Sequence, residues 1–189
     1  MKILFVRHSE STDDIDNQYG GWADFELTEN GRMKLAATVD NIQKLNINFE
    51  KILHSPLKRA FQSAEILSAG LHLQIEELIW LKERNKYGLL SGQKKEFAKA
   101  KLPELLAMLE SGYVYGAEPE EKFHARVSMA YEILKELKAQ LICVTHGGFL
   151  NSLVDNHLHA EYLEAGDGGY ILVDTAKDEI LSSFNFKLK

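Results

Sequence analysis

The apolar positions of this chain follow two periods. Residues 2–6 and 141–144 are short continuous apolar runs, as buried strands make, and each delivers a histidine at its carboxyl end: His8 after Arg7, and His146 after Thr145. Residues 51–54 predict a third strand. Elsewhere the spacing lengthens. Thr28 has the chemistry of an N-cap, and Met33, Leu35, Ala36, Val39, Ile42 and Leu45 recur after it at helical intervals. Proline is favourable at a first helical position, so Ser55-Pro56 is read as opening the next helix, whose core face is Leu57, Ala60, Ala64 and Leu67. Residues 75–81 fit either period. A helix interrupted at Pro103 is predicted over 94–110, and a longer one over 119–138 with Phe123, Val127, Ala130, Ile133, Leu134 and Leu137 inward. Another helix runs from His146 to about Asn156, and residues 170–174 and 179–186 alternate as an antiparallel pair.

Strand and helix patterns alternate almost throughout, without repeats, low-complexity tracts or a linker-like shift in composition. That order predicts an α/β fold, a three-layer α/β/α sandwich around a mainly parallel sheet, in a single domain over residues 1–189. Open sheets of this kind bind ligands beyond the carboxyl ends of their strands. His8 and His146 are both placed there, where they can face each other across one site.

Composition narrows what that site binds. A net charge of −6 and a pI near 5.7 count against nonspecific association with nucleic acid or with an anionic membrane, so an anionic ligand has to be held by a local positive cluster. The single cysteine, Cys143, lies in an apolar strand, which excludes an intramolecular disulfide and suits a small buried hydrophobe. The opening residues are too short an apolar run for a signal peptide, and no later stretch is long enough to span a bilayer; the expected location is cytoplasmic.

Arg7, His8 and His146 suggest phosphoryl chemistry. A neutral imidazole is a competent nucleophile toward phosphorus, and a phosphoryl group in transfer carries negative charge that fixed cations must hold. Arginine suits that task, because its planar fork donates two hydrogen bonds and stays charged. Arg7 adjoins His8, Arg59 falls on the first turns of a helix after a strand, and Arg84 offers a third cation. Glu83 is a candidate acid for the leaving alkoxide.

These residues resemble the histidine phosphatases, the superfamily of cofactor-dependent phosphoglycerate mutases and many phosphomonoesterases. Arg7, His8, Glu10 and Ser11 match the family's opening Arg-His-Gly-Glu motif, with Ser9 in place of glycine. Leu27-Thr28-Glu29-Asn30-Gly31, the stretch from Ser55-Pro56-Leu57-Lys58-Arg59 to Ala64, and Thr145-His146-Gly147-Gly148 match later motifs in the same order, and Gly116-Ala117-Glu118 before Arg126 is similar to a block of many family phosphatases. The resemblance implies a phosphoglycerate mutase-like fold and a phosphohistidine on His8. It further implies that Arg7, Arg59 and His146, cationic in the complex, hold the oxygens and that Glu83 acts as acid and base. Ser9, Asn17, Gly21, Arg84, Tyr87 and Gly147 complete the expected phosphate and substrate contacts, with no metal and no cofactor.

Which acceptor takes the phosphoryl group is less plainly written. Gly21-Trp22-Ala23-Asp24 and Glu83-Arg84 with Tyr87-Gly88 resemble mutase segments. Residues 91–116, however, contain lysines and no arginine, so the mutases' adjacent arginine pair is missing from the substrate-covering insertion expected around 91–118. Asp14 replaces a family asparagine and repels phosphate unless it points away or is protonated; Asn17 stands nearby as a substitute. The reading favoured is a phosphomonoester phosphohydrolase acting on a small phosphorylated metabolite. The alternatives are a mutase primed by 2,3-bisphosphoglycerate, and a noncatalytic member that binds phosphorylated ligands. A homo-oligomer is compatible with the sequence. Lys94, Lys95, Lys99 and Lys101 are read as a solvated helix face, His157 and His159 as surface residues rather than half a metal site, and Trp22 and Trp80 as either core or pocket wall.

Overall fold

The computed structural model of the chain describes residues 1–158 and 160–188. Its strands are β1 (Lys2–Arg7), β2 (Lys51–His54), β3 (Ile75–Glu77), β4 (Leu141–Thr145), β5 (Tyr162–Asp174) and β6 (Glu179–Leu188), joined in one sheet of order β3-β2-β4-β1-β5-β6. β3, β2, β4 and β1 run parallel, while β5 and β6 add an antiparallel edge. This is the mixed, mainly parallel α/β sheet that the sequence predicts.

The layers follow from the pleat, which sends alternate side chains to opposite faces. From β1, Ile3 and Phe5 join Leu141 and Cys143 of β4 against α6 (Glu120–Glu136) and α7 (Gly147–His157). Leu4 and Val6 join Ile142 and Val144 on the other face, against α2 (Glu29–Lys44) and α3 (Lys58–Leu71). Both faces of the central strands are thus covered, which is why they read as unbroken apolar runs. Cys143 is wholly buried, and burial pushes its thiol pKa up, as suits a packing residue.

Thr28 caps α2 as predicted, its hydroxyl accepting from the Gly31 N–H at 2.8 Å. The buried face of that helix is Leu35, Thr38 and Ile42, whereas Met33 and Ala36, expected inward, are exposed. Met33 lies about 200° around the helix from Leu35. The Thr38 hydroxyl donates to the Gly168 carbonyl at 2.9 Å, which turns a nominally polar position toward the sheet. In α6, Leu137 is exposed at the C-cap and Tyr131 is buried in its stead, with its hydroxyl donating to Asp178 at 2.6 Å. Pro56 does not open α3, which begins at Lys58 after an extended Leu57. β5 starts at Tyr162, earlier than its alternation suggests, because a register shift between Ala165 and Tyr170 breaks the period.

The remaining helices are α1 (Thr12–Ile15), α4 (Lys95–Lys101) and α5 (Pro103–Glu110), the last two divided at Pro103 as predicted. Leu90, Ala98 and Val114 close over a small apolar cluster of their own beside the site. Residues 75–81 divide between β3 and a 3₁₀ turn over Ile79–Leu81 that leads to Glu83.

Candidate functional site

The strand order assembles the site. β2, β4 and β1 are neighbours whose ends align, Arg7 against Thr145 and His54 against Val144, so Ser55, His146 and His8 emerge together at the carboxyl edge of the sheet. The His8 N–H extends the ladder, donating to the Thr145 carbonyl at 2.9 Å. The two imidazole rings lie 5.0 Å apart.

The polarity of His8 is set by its neighbours. Nδ1 is 2.7 Å from the Ser9 carbonyl, which can only accept, so Nδ1 carries the proton and Nε2 keeps its lone pair. Burial first, then the Arg59 and Arg7 charges, lowers the His8 pKa well below 6.5, and the ring is neutral. His146 is neutral for the same reasons, burial and then Arg59; its Nε2 is 2.7 Å from the Ser55 hydroxyl and its Nδ1 has no protein partner. The resemblance implies a cationic His146 in the complex; among the described residues no carboxylate pairs with the ring, so that form would draw its counter-charge from the phosphate itself.

Two arginines flank His8. Arg59, on the first turn of α3 and 3% exposed, donates from Nε to His8 Nε2 at 3.2 Å and from its two terminal nitrogens to the Ala23 and Gly21 carbonyls, each at 3.0 Å. Gly21 has φ +57°, and a Cβ there would meet the Ser91 hydroxyl at 2.8 Å, so only glycine presents this carbonyl without strain. Arg7 donates to Asp167 at 2.9 Å and to the Ala165 carbonyl at 3.1 Å. Asp167 in turn accepts from Lys34 at 2.8 Å, and Lys34 donates to Glu10 at 2.8 Å, a contact that helps hold the Glu10 pKa down to about 2. The Arg7 fork is thereby fixed by a chain of charges.

Glu83 faces the same space. One carboxylate oxygen accepts from the Arg84 N–H at 2.8 Å and the other from the Gly148 N–H at 3.1 Å. Its loop is clamped from three sides. Thr145 donates to the Leu81 carbonyl at 2.7 Å, and Trp22 donates to the Glu83 carbonyl at 2.6 Å. Arg126 donates to the Lys82 carbonyl at 2.8 Å and to the Glu83 carbonyl at 3.2 Å while forming a two-pronged pair with Glu118, 2.8 Å on each side.

A cavity of about 760 Å³ joins these groups; Arg7, His8, Arg59, Glu83 and Gly147 line it around the histidine. Gly21, Arg84 and Tyr87 line it as well, as expected, although Arg84 is engaged by the Glu118 carbonyl at 3.2 Å and by Glu120 at 3.4 Å. Ser9 is buried behind His8, its N–H donating to the Ser63 hydroxyl at 3.2 Å and its own hydroxyl unpartnered. Asn17 is exposed and contributes no wall, and the adjacent Gln18 lines the cavity instead. Asn17 follows α1 at φ +52°, in the left-handed region. Asp14 does reach the wall, but its carboxylate turns back to accept from the Ser11 N–H at 3.1 Å, and burial raises its pKa. Both changes lessen its repulsion of an anion.

Of the lysines on the insertion, Lys95 lines the cavity and Lys94, Lys99 and Lys101 do not. His157 lies 2.8 Å from the Ser128 hydroxyl, and His159 lies outside the described residues. Among the described residues no three His, Cys, Asp or Glu side chains gather as a metal site, and no helix is long and apolar enough to cross a membrane. Trp22 and Trp80 are neither core nor cavity wall; both are exposed beside the Glu83 loop. Asp167, Lys34 and Ser55 are contacts that spacing alone does not reveal. The one sequence signal for Asp167 is its position in Gly166-Asp167-Gly168-Gly169, glycines inside a strand being a mark of a bulge.

A neutral imidazole whose Nε2 lone pair accepts from Arg59, a second arginine fixed by Asp167, and a facing carboxylate gather at the carboxyl edge of the parallel part of an α/β sheet. The chain belongs to the histidine phosphatase superfamily, whose branch 1 matches residues 3–170. It is 34% identical over 100 residues to the 2,3-bisphosphoglycerate-dependent phosphoglycerate mutase of Dichelobacter nodosus, covering 51% of this chain and 41% of that protein. A mutase of the same name from Lactococcus lactis is 35% identical over 108 residues, 53% of this chain and 44% of that one. The chain thus spans about half the length of the curated relatives it matches. In structure it superposes on the alpha-ribazole phosphatase of Shigella flexneri with a TM-score of 0.80 at 19% identity, covering 95% of this chain and 93% of that one. It superposes on a phosphoglycerate mutase of Thermus thermophilus with a TM-score of 0.71 at 24% identity over 100% of each chain. These two likenesses show the fold.

Proposed function

We propose that the protein is a phosphomonoester phosphohydrolase acting through a phosphohistidine on His8. The observation that carries this reading is the His8 ring itself, neutral, protonated on Nδ1 by its bond to Ser9, and placed between Arg59 and Arg7 with Glu83 across the cavity. Nε2 attacks phosphorus while Arg7 and Arg59 take the equatorial oxygens, with His146 beside them. The P–O bond to the alcohol breaks as Glu83 gives its proton to the leaving oxygen. Water then attacks the phosphohistidine, Glu83 takes a proton from it, and inorganic phosphate leaves with Nε2 restored. Each step uses residues of this chain alone.

A second reading, a mutase primed by 2,3-bisphosphoglycerate, has specific support in the named relatives and in Gly21, Arg84 and Tyr87 on the cavity wall. Hydrolysis is favoured because Arg84 is tied to the Glu118 carbonyl and to Glu120 and because no arginine occurs over residues 91–116, which leaves Lys86 and Lys95 rather than a pair of guanidinium forks for a substrate carboxylate. Phosphorus NMR with 3-phosphoglycerate and catalytic 2,3-bisphosphoglycerate, alongside a phosphomonoester panel, separates the two. The expected result is release of inorganic phosphate, and an acid-labile phosphoprotein, both abolished by His8→Ala. Formation of 2-phosphoglycerate would establish the mutase instead.

A further inference from the structure

We propose that the α7 wall of the cavity binds the alcohol part of the substrate through its hydroxyls, so that the substrate class is the phosphomonoester of a polyhydroxylated, sugar-sized alcohol. The inference rests on the hydrolase reading above and adds the direction in which the leaving group lies. Glu83 must face the leaving oxygen, and its carboxylate is held by the Gly148 N–H on the first turn of α7. The alcohol therefore departs along α7.

What it meets there is a polar stripe. Asn151 and Ser152, then Asp155 and Asn156, follow Gly147 and Gly148 at one-turn and two-turn intervals, and all line the cavity. Eight residues of helix span about 12 Å, the reach of a sugar beyond its phosphate. The stripe keeps hydrogen-bonding capacity in reserve. Among the described residues the Asn151 carboxamide has no protein partner, and Asp155 engages only one carboxylate oxygen, with the Tyr162 N–H at 3.3 Å. Ser152 and Asn156 are instead held by each other and by His124, which lies 2.7 Å from the Ser152 hydroxyl. Charge points the same way. On α7 itself the one charged wall group is Asp155, an acceptor for hydroxyl donors; Glu120 is paired with Arg84 at 3.4 Å and His124 at 3.5 Å, and the cavity's lysines, Lys86 and Lys95, stand on other elements.

The test compares kcat/KM for glucose 6-phosphate, its deoxygenated counterpart cyclohexylmethyl phosphate, and 3-phosphoglycerate, in the native protein and in Asn151→Leu, Asp155→Leu and the double variant. The native protein is expected to prefer glucose 6-phosphate at least tenfold over both others. The double variant is expected to bring its ratio to cyclohexylmethyl phosphate within about threefold, since a site built to bond hydroxyls discriminates by what it leaves unpaired. A native preference for 3-phosphoglycerate, or a ratio that the variants do not move, overturns the subsite. Acid-labile phosphorylation of His8 is followed in the same samples. Label with unchanged selectivity defeats the subsite alone, whereas absence of label defeats the hydrolase reading with it.

Discussion

Arg7 shows how much of a site is set by residues that touch no ligand. Its fork is aimed by Asp167, and Asp167 is itself held by Lys34. Replacing Asp167 with Asn keeps the shape and one acceptor but removes the charge-assisted pairing, which is worth roughly 1.5–3 kcal/mol per bond. Asp167→Asn is therefore expected to lower kcat/KM about tenfold or more with the fold intact, and a fall similar to that of Arg7→Ala would mark Asp167 as the main support. Gly148 is a second such position. A Cβ there would collide with the Glu83 carboxylate, so Gly148→Ala is expected to cut turnover by about 10²-fold while melting within a few degrees of the native protein. His8, His146, Arg7, Arg59 and Glu83 were singled out in the sequence because the chemistry proposed for them admits only a few residue types, and the sheet brings them to one edge. Asp167 and Lys34 were not. Any acidic residue near any lysine meets the same description until the bulge in β5 brings one particular pair to Arg7.

Elements were legible where the core has one period and less so where a side-chain hydrogen bond overrides it. β1 and β4 are buried on both faces and read as strands without ambiguity. In α2 the inward face was read partly wrong, because Thr38 is drawn in by Gly168 while Met33 and Ala36 point outward. At α3 the proline rule misplaced the start, since Pro56 belongs to the bend that carries Ser55 to His146. α7 now carries three duties: its Gly148 N–H holds Glu83, its polar stripe lines the cavity, and Phe149, Leu150 and Leu153 face the core. Leu153→Ala is expected to cost about 2–5 kcal/mol, read as a fall in urea midpoint without change in m-value. Arg126→Met acts on a different element boundary. It frees the carbonyls of the Glu83 loop and leaves Glu118 without its partner, and the expected outcome is a fall in kcat larger than any rise in KM.

At the scale of the whole molecule the site burdens the fold, because the sheet buries two imidazoles among arginines where neither can take a proton cheaply. The folded pKa values of His8 and His146 are both depressed, by burial first and then by Arg59, while the unfolded chain titrates near 6.5. The sign follows directly. Above pH 6.5 both states hold these rings neutral and stability is at its full value; below it the unfolded chain binds protons that the folded one refuses, so stability falls as pH falls. Each histidine contributes a slope of about 1.4 kcal/mol per pH unit until its own folded pKa is reached, and His157, lowered by burial too, adds the same sign. Glu10, held down to about 2, stays ionised from pH 6.5 to 5, while Asp14, raised by burial, acts with the opposite sign to the histidines. Urea unfolding across that interval is expected to give a steep decline in the native protein and a markedly shallower one in His8→Gln/His146→Gln, whose rings cannot titrate. Parallel declines would show instead that the two imidazoles titrate in the fold as they do in the unfolded chain, and that burial among arginines does not hold them neutral.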